Sequence, residues 1–414
     1  MMEGFLEISV SRKHPDLPRT LSRHRKLSAI RSLLLLASMM PFVLARSAPC
    51  AVVKPVVAAY VFTDGKPLAP GQVDGRKLTR VNYAFANIEQ GRIVEGSAAD
   101  AGNLAALNAL KRDNPQLTVL VSVGGWLWSG GFSDMALTKE SRATFIDSVA
   151  SFVTRYDLDG LDIDWEFPGM EGSTKRFRPE DKQNYTLLVK ELRARFDSMK
   201  LPTHRRLYIT VATGATSDFL EHTEMGEVQK YVDTVNLMAY DYYEPGDQKI
   251  TGNHAPLFVN LADPRGISAD RSVREYEQAG VPAEKLVLGV PFYGHVWGQV
   301  PPTNNGLFQP GERVPNAFAN YGAVASTMLG HGYTRYWDAA ASVPYLYNAE
   351  KKIFVSYEDP ESLGLKCKYV LDHHLAGMMF WDYESDPSGT LLNTIDAGLQ
   401  FSQDAHGGER ASRR

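Results

Sequence analysis

Eight short runs rich in β-branched and aromatic residues recur along the chain, at 56–62, 80–88, 117–123, 158–166, 208–212, 234–240, 286–291 and 377–381. Between them lie longer stretches whose apolar residues fall three and four apart, at 100–114, 139–156, 179–198 and 271–279. A strand-period run followed by a helix-period run is the mark of a parallel βαβ unit, because parallel neighbours need a long crossover that is usually a helix. Eight such units predict an α/β fold, a closed (β/α)8 TIM barrel within residues 49–400. The pattern also decides the number of domains. A length of 414 residues at about 150 per domain suggests two or three, but a barrel spends roughly 250 or more on one.

One interval breaks the rhythm. The spacing between strands seven and eight is too long for a loop in a compact domain. Residues 296–357 open on a Pro- and Gly-rich stretch and continue in short aromatic runs at 333–337, 344–347 and 353–357. They read as a small α+β insertion between those strands. Residues 401–414 are polar and without periodicity, and are expected to be disordered.

Charge separates the N-terminal segment from the rest. Residues 1–48 carry eight basic and three acidic side chains, so a chain of net charge −4 has +5 in its leader and −9 in the other 366 residues. A body that acidic offers no basic footprint for nucleic acid. The basic leader precedes an apolar run at 33–45, shorter than the roughly 20 residues needed to span a bilayer but suited to a signal peptide. Small residues Val43, Ala45, Ser47 and Ala48 permit cleavage near Pro49. The mature chain is therefore expected to be secreted or periplasmic, monomeric, and without a stable membrane span. Cys50 and Cys367 are the two cysteines; they could pair, but two make no disulfide framework.

The fourth run carries the chemistry. It reads Leu158-Asp159-Gly160-Leu161-Asp162-Ile163-Asp164-Trp165-Glu166. Side chains alternate along a strand, so Asp162, Asp164 and Glu166 share the face turned into the barrel. Glu166 falls at the C-terminal mouth, where barrel enzymes place their active sites. Leu161, Ile163 and Trp165 on the opposite face are apolar, which argues against a solvated edge strand. Three acids in one buried row repel one another, so at least one holds a proton at neutral pH, and Asp162 and Asp164 titrate as a coupled pair. A raised pKa on Glu166 is what a general acid needs. Carboxylates also suit a hard divalent cation, but no remaining ligands stand nearby in a recognisable spacing. His254, His373 and His374 likewise lack spaced partners and read as surface or satisfied polar residues. Neither a metal nor a cofactor is expected.

At these residues the chain resembles the family 18 glycoside hydrolases, the chitinases and their relatives. Asp159-Gly160-x-Asp162-x-Asp164-x-Glu166 matches the family signature without a gap. Strand three carries Ser122-Val123-Gly124-Gly125-Trp126, strand six Met238-Ala239-Tyr240-Asp241, and strand seven Pro291-Phe292-Tyr293-Gly294. The likeness runs over about residues 52–398, and the insertion resembles one that deepens the groove in many of these enzymes.

The resemblance implies retaining, substrate-assisted hydrolysis of chitin or N-acetylglucosamine oligomers. By it, Glu166 protonates the glycosidic oxygen and the substrate's own acetamido oxygen attacks to give an oxazolinium intermediate. Asp164 turns to the acetamido N–H while Asp162 holds the shared proton, and Tyr240 aligns the acetamido oxygen. Tyr60, Phe85, Gly125, Trp126, Met238, Asp241, Tyr293 and Trp381 are the implied substrate-binding residues. Trp381 is implied as the floor of the central subsite, with a cis peptide to Asp382. Ser122 is expected to bond within the acid row, and Gly124 and Gly125 to turn the chain beneath the sugar. Tyr83 has barrel packing as its rival reading.

Of the six tryptophans, Trp126, Trp128, Trp297 and Trp381 are expected at or just beyond the mouth. Trp165 is expected in the core, and Trp337 fits either place. His295 stands where relatives often carry arginine. Asn184-Tyr185-Thr186 is a formal glycosylation sequon. Two other functions share this pattern. A chitinase-like lectin is disfavoured because Glu166, Asp164, Asp162 and Tyr240 are all present. An endo-β-N-acetylglucosaminidase acting on N-glycan cores is disfavoured by the Met-Ala-Tyr-Asp strand and the insertion.

Overall fold

The computed structural model describes residues 54–201, 205–315, 317 and 319–411, with side chains described to residue 400. The leader 1–48, its expected cleavage region and Cys50 lie outside the described residues. Eight strands form the barrel: β1 Val56–Phe62, β2 Arg80–Glu89, β3 Thr118–Gly124, β4 Gly160–Asp164, β5 Tyr208–Gly214, β6 Thr234–Met238, β7 Leu286–Pro291 and β8 Gly377–Trp381. Each pairs in parallel with the next, and β8 pairs with β1, so the sheet closes. The predicted (β/α)8 barrel is the fold.

Three strands match the repeat at both ends, three differ from it by one or two residues, and two stop short of it. The run at 158–166 is a strand only over Gly160–Asp164, and that at 234–240 only over Thr234–Met238. Both stop short because their last residues leave the ladder for the site. The Glu166 N–H donates to Ser129 Oγ instead of a neighbouring strand, and Ala239 N–H turns back to Leu237 O.

Alternation sorts the side chains into two environments. Val121, Leu161, Ile163, Val211 and Leu237 point outward into the main core beneath the helices. Inside, Ala58, Tyr60, Ala84, Phe85, Val287 and Met379 form a second apolar cluster. The interior of β2 to β6 is polar and fully buried, with Asn82, Ser122, Asp162, Thr210 and Asn236. Ser122, Asp162 and Thr210 stand level with one another in the β3–β4–β5 register.

The outer helices are α1 Asp100–Ala109, α2 Lys139–Arg155, α3 Asp181–Ser198, the short α4 Met225–Val228, α5 Ala269–Gln278, α6 Pro360–Asp372 and α7 Thr390–Ala411. Their starts follow local chemistry. Thr138 caps α2 in a reciprocal box with Ser141, and Asp359 caps α6 with Ser362 while Pro360 takes the first turn. The last helix runs through 401–411, where disorder was expected. Leu391, Leu392, Ile395 and Leu399 bury its first turns, and a nucleated helix extends at small cost per residue. Asn184 lies in α3 and is buried, so the sequon offers no accessible acceptor in the folded chain.

Between β7 and β8 the chain builds an antiparallel sheet of Tyr293–Gly298, Glu312–Arg313, Ala319–Asn320, Thr334–Asp338, Val343–Asn348 and Ile353–Ser356. Its first strand begins almost directly after β7, and Tyr293 and His295 on that strand reach the barrel mouth. Trp297 was expected at the mouth but is wholly buried in this sheet, edge-on to Phe354 at 5.7 Å. Trp297 shares the strand face of Tyr293 and His295, its ring 6.0 Å from that of His295, but it lies further along the strand and packs on Phe354 instead of at the mouth. Cys367 is buried in α6 and has no disulfide partner among the described residues.

Candidate active site

Strand pairing places the acid row. Asp162 is level with Ser122, and Asp164 with Gly124, so the row climbs the barrel wall toward the mouth. Asp162 is saturated with donors. One oxygen accepts from Tyr60 Oη at 2.8 Å and Ser122 Oγ at 2.7 Å; the other accepts from Thr210 Oγ1 and from Asn236 Nδ2 at 3.1 Å. Four donors favour the ionised form, although burial pushes the carboxyl up. Asp164 differs: it is buried, its Oδ1 has no hydrogen-bond partner, and burial with the neighbouring charges of Glu166 and Asp162 holds it well above the usual range. The buried proton therefore rests on Asp164.

Glu166 stands half-buried at the mouth. Burial first, then the negative charges of Asp241 and Glu244, push its carboxyl up to about 8. Ser129 holds the turn that carries it, accepting from the Glu166 N–H at 2.9 Å and lying within hydrogen-bond reach of the carbonyls of Asp164 and Gly125. Gly124 and Gly125 have φ of +106° and +78°. A Cβ on Gly125 would come within 2.6 Å of the Phe85 ring, so this turn can carry no side chain.

Tyr240 and Asp241 follow β6. Burial and nearby carboxylates hold the Tyr240 phenol well above its ordinary value, so it stays a donor. Asp241 has φ of +57°; its carboxylate accepts from Tyr293 Oη at 2.6 and 2.7 Å and lies 2.8 Å from His295 Nε2. Burial opposes its charge, yet the imidazoles of His254 and His295 hold it well below the usual carboxylate range. His254 is not the surface or satisfied residue its spacing suggested. It is 0% exposed, and neither ring nitrogen has a hydrogen-bond partner. Burial pushes it down to about 4, so the ring is neutral at pH 7. The 253–255 segment tucks beneath Asp241, which linear spacing could not reveal. His373 and His374 are exposed, as expected.

These residues border a cavity of about 580 Å³, within the range for small-molecule sites. Glu166, Asp164, Tyr240, Tyr60, Phe85, Trp126, Met238, Asp241, Tyr293 and Trp381 line it; Asp162 lies beneath, and Gly125 sits under Phe85. Phe85 reaches the cavity because the β2–β3 register shifts between Ala84 and Ala86. Without that bulge it would share the outward face of Tyr83, which bonds Asp100 in the outer core. Trp381 is half-buried, with Phe85 stacked at 5.4 Å and 19°. The peptides Ala84–Phe85, Glu166–Phe167 and Trp381–Asp382 are cis. Trp126, 51% exposed, and Trp128 extend the aromatic border, while Trp165 packs in the core on Phe132.

Sequence reasoning passed over Thr210, Asn236, Ser129 and Glu244. The first three act through bonds to partners far along the chain, which no local pattern marks. Glu244 was findable as a carboxylate three residues after Asp241. It lines the cavity, and burial followed by Asp241 pushes it up to about 7.

A closed parallel barrel with one buried carboxylate, one protonated carboxyl and a general-acid candidate along one strand and the turn that follows it, opening on an aromatic-lined cavity, defines a glycosidase-type site. The chain belongs to the glycosyl hydrolases family 18, whose family model matches residues 57–386. It is similar to Chitinase A1 of Niallia circulans, 36% identical over 83% of this chain and 57% of that protein. The chain thus spans little more than half the length of that relative. Chitotriosidase-1 of Mus musculus is 31% identical over 80% of this chain and 72% of its own. Among solved structures, a family 18 N-acetylglucosaminidase from Paenibacillus barengoltzii superposes with a TM-score of 0.76 at 40% identity, covering 83% of this chain and 99% of that one.

Proposed function

We propose that the chain hydrolyses β-1,4-linked N-acetylglucosamine polymers or oligomers with retention, by substrate assistance. The observation that carries this reading is the arrangement of Asp162, Asp164 and Glu166, with Glu166 raised to about 8 beside Tyr240 at the cavity. Glu166 gives its proton to the glycosidic oxygen as the C1–O bond breaks. The carbonyl oxygen of the 2-acetamido group bonds to C1, forming an oxazolinium ion. Tyr240 donates to that carbonyl and aligns it. Asp164 passes its proton inward to Asp162, whose hydroxyl partners can rotate, and accepts the acetamido N–H as positive charge develops. The Glu166 carboxylate then takes a proton from water attacking C1 on the face the leaving group left, which restores the acid. The aromatic rings of Trp381, Trp126 and Phe85 offer flat apolar faces to the C–H faces of the sugars.

The four carboxyl and phenol groups of a working site support an enzyme over a lectin, and the relatives named as chitinases support chitin oligomers over N-glycan cores. The test is hydrolysis of the N-acetylglucosamine hexamer. Wild type is expected to release shorter oligomers, and Glu166→Gln to lower kcat by at least about 10²-fold. Bound hexamer with no turnover in wild type would favour the lectin. Release of single sugars alone would assign the N-acetylglucosaminidase type, and cleavage of N-glycan cores with the hexamer intact would assign the endo-glycosidase. Thiazoline mimics of the oxazoline are expected to inhibit; insensitivity to them overturns substrate assistance. The basic leader with its apolar run supports export, and no described helix is long and apolar enough to cross a membrane.

A further inference from the structure

Three side chains from separate segments converge behind Tyr240. Asp241 follows β6, His254 comes from the segment tucked beneath it, and His295 comes from the first strand of the insertion. A carboxylate oxygen and two imidazole nitrogens, one from each residue, lie within 4.8 Å of one another. His295 Nε2 is 2.8 Å from Asp241 Oδ1, and His254 Nδ1 is 3.6 Å from the same oxygen. Two donors bound tetrahedrally to one zinc ion at about 2.0–2.1 Å stand about 3.3 Å apart. The two observed separations bracket that value. The two imidazole rings stand edge to face, with centroids 4.9 Å apart and planes at 77°.

His254 supplies the independent observation. Its ring is wholly buried and neither nitrogen has a hydrogen-bond partner, while Nδ1 lies just outside hydrogen-bond reach of Asp241. Burying a polar atom without a partner is costly. A cation between the three groups satisfies Nδ1. Tyr293, which donates to both Asp241 oxygens, orients the carboxylate as an outer-shell partner does at a metal. Asp241 borders the cavity, which leaves a coordination position for water.

We propose that Asp241, His254 and His295 bind a borderline divalent transition cation of the zinc type, and that the bound ion blocks the sugar site Asp241 serves. Two imidazoles and one carboxylate suit Zn²⁺, Ni²⁺, Cu²⁺ or Co²⁺. They are a poor set for Ca²⁺ or Mg²⁺, which take six or more oxygens or keep their waters. This departs from the expectation of no metal, because the three ligands are assembled by folding and have no motif spacing. The blocking half rests on the proposed hydrolase reading; the binding half does not.

Titration of the chelator-treated full chain with Co²⁺, followed by visible absorption, reads coordination without any sugar. A saturable band of a four-coordinate ion, displaced by Zn²⁺, is expected. His254→Asn and His295→Arg are each expected to weaken binding at least about tenfold. His295→Arg removes the imidazole ligand while still offering Asp241 a hydrogen-bond donor, and so provides the decisive variant should the buried His254→Asn not fold. No saturable band in wild type, or equal affinity in the folded variants, overturns the site. On oligosaccharide, Zn²⁺ is expected to inhibit wild type competitively, with an inhibition constant raised at least about tenfold in His295→Arg. Noncompetitive inhibition overturns the blocking role. A chain that binds Co²⁺ as expected yet hydrolyses no sugar overturns the hydrolase reading and leaves the metal site standing.

Discussion

A glutamic acid near water ordinarily gives up its proton around 4.5, whereas Glu166 keeps it to about 8 because burial and the charges of Asp241 and Glu244 disfavour the anion. A general acid must carry its proton, so kcat/KM is expected to hold at neutral pH and to fall as pH rises through about 8. Glu244→Gln removes one of the neighbouring charges and is expected to move that alkaline limb to lower pH, read from the pH–rate profile. The same shift has a stability consequence. The folded state holds this proton longer than the unfolded chain, so stability declines as pH climbs from about 4.5 through about 8. The row itself was legible from two-residue alternation alone, since three acids at i, i+2 and i+4 must share a face. Which of them holds the resting proton was not, because that depends on Tyr60, Ser122, Thr210 and Asn236, which belong to four other strands.

Strand β4 shows how an element's end becomes a site. Its ladder stops at Asp164, and the Ser129 hydroxyl bridges that strand end to the turn, lying near the Asp164 carbonyl and accepting from the Glu166 N–H. Ser129→Ala removes a buried partner of the Glu166 N–H and is expected to cost about 1–2 kcal/mol in urea unfolding. It should also lower kcat about tenfold with little change in KM, because the acid is then poorly placed and binding is not. A purely structural role would leave kcat unmoved. β6 ends in the same manner, and the positive φ at Asp241 aims a carboxylate that a continued strand would direct elsewhere. Sequence periodicity marks where a strand can run but not where its ladder ends, because that end is decided by the partner each N–H finds.

Across the whole molecule, the insertion is joined to the barrel by a buried ion pair. Lys366 of α6 and Glu358 at the end of the inserted segment are both buried and in contact, and Lys366 Nζ also donates to Ala255 O at 2.6 Å, beside His254. Lys366→Met leaves Glu358 buried without its cation and is expected to cost about 3–5 kcal/mol. The double variant Lys366→Met/Glu358→Gln should recover much of this, as denaturant unfolding of both will show. The barrel, its eight strands and the place of the insertion were all readable from the chain, because period and spacing are properties of neighbouring residues. So was the orientation of the acid row. Only the tertiary structure decided that Phe85 turns inward across a bulge, that Trp297 is core, and that His254 lies buried against Asp241 and His295. Each of these depends on contacts between segments distant in sequence, and a contact of that kind leaves no periodic trace in the sequence.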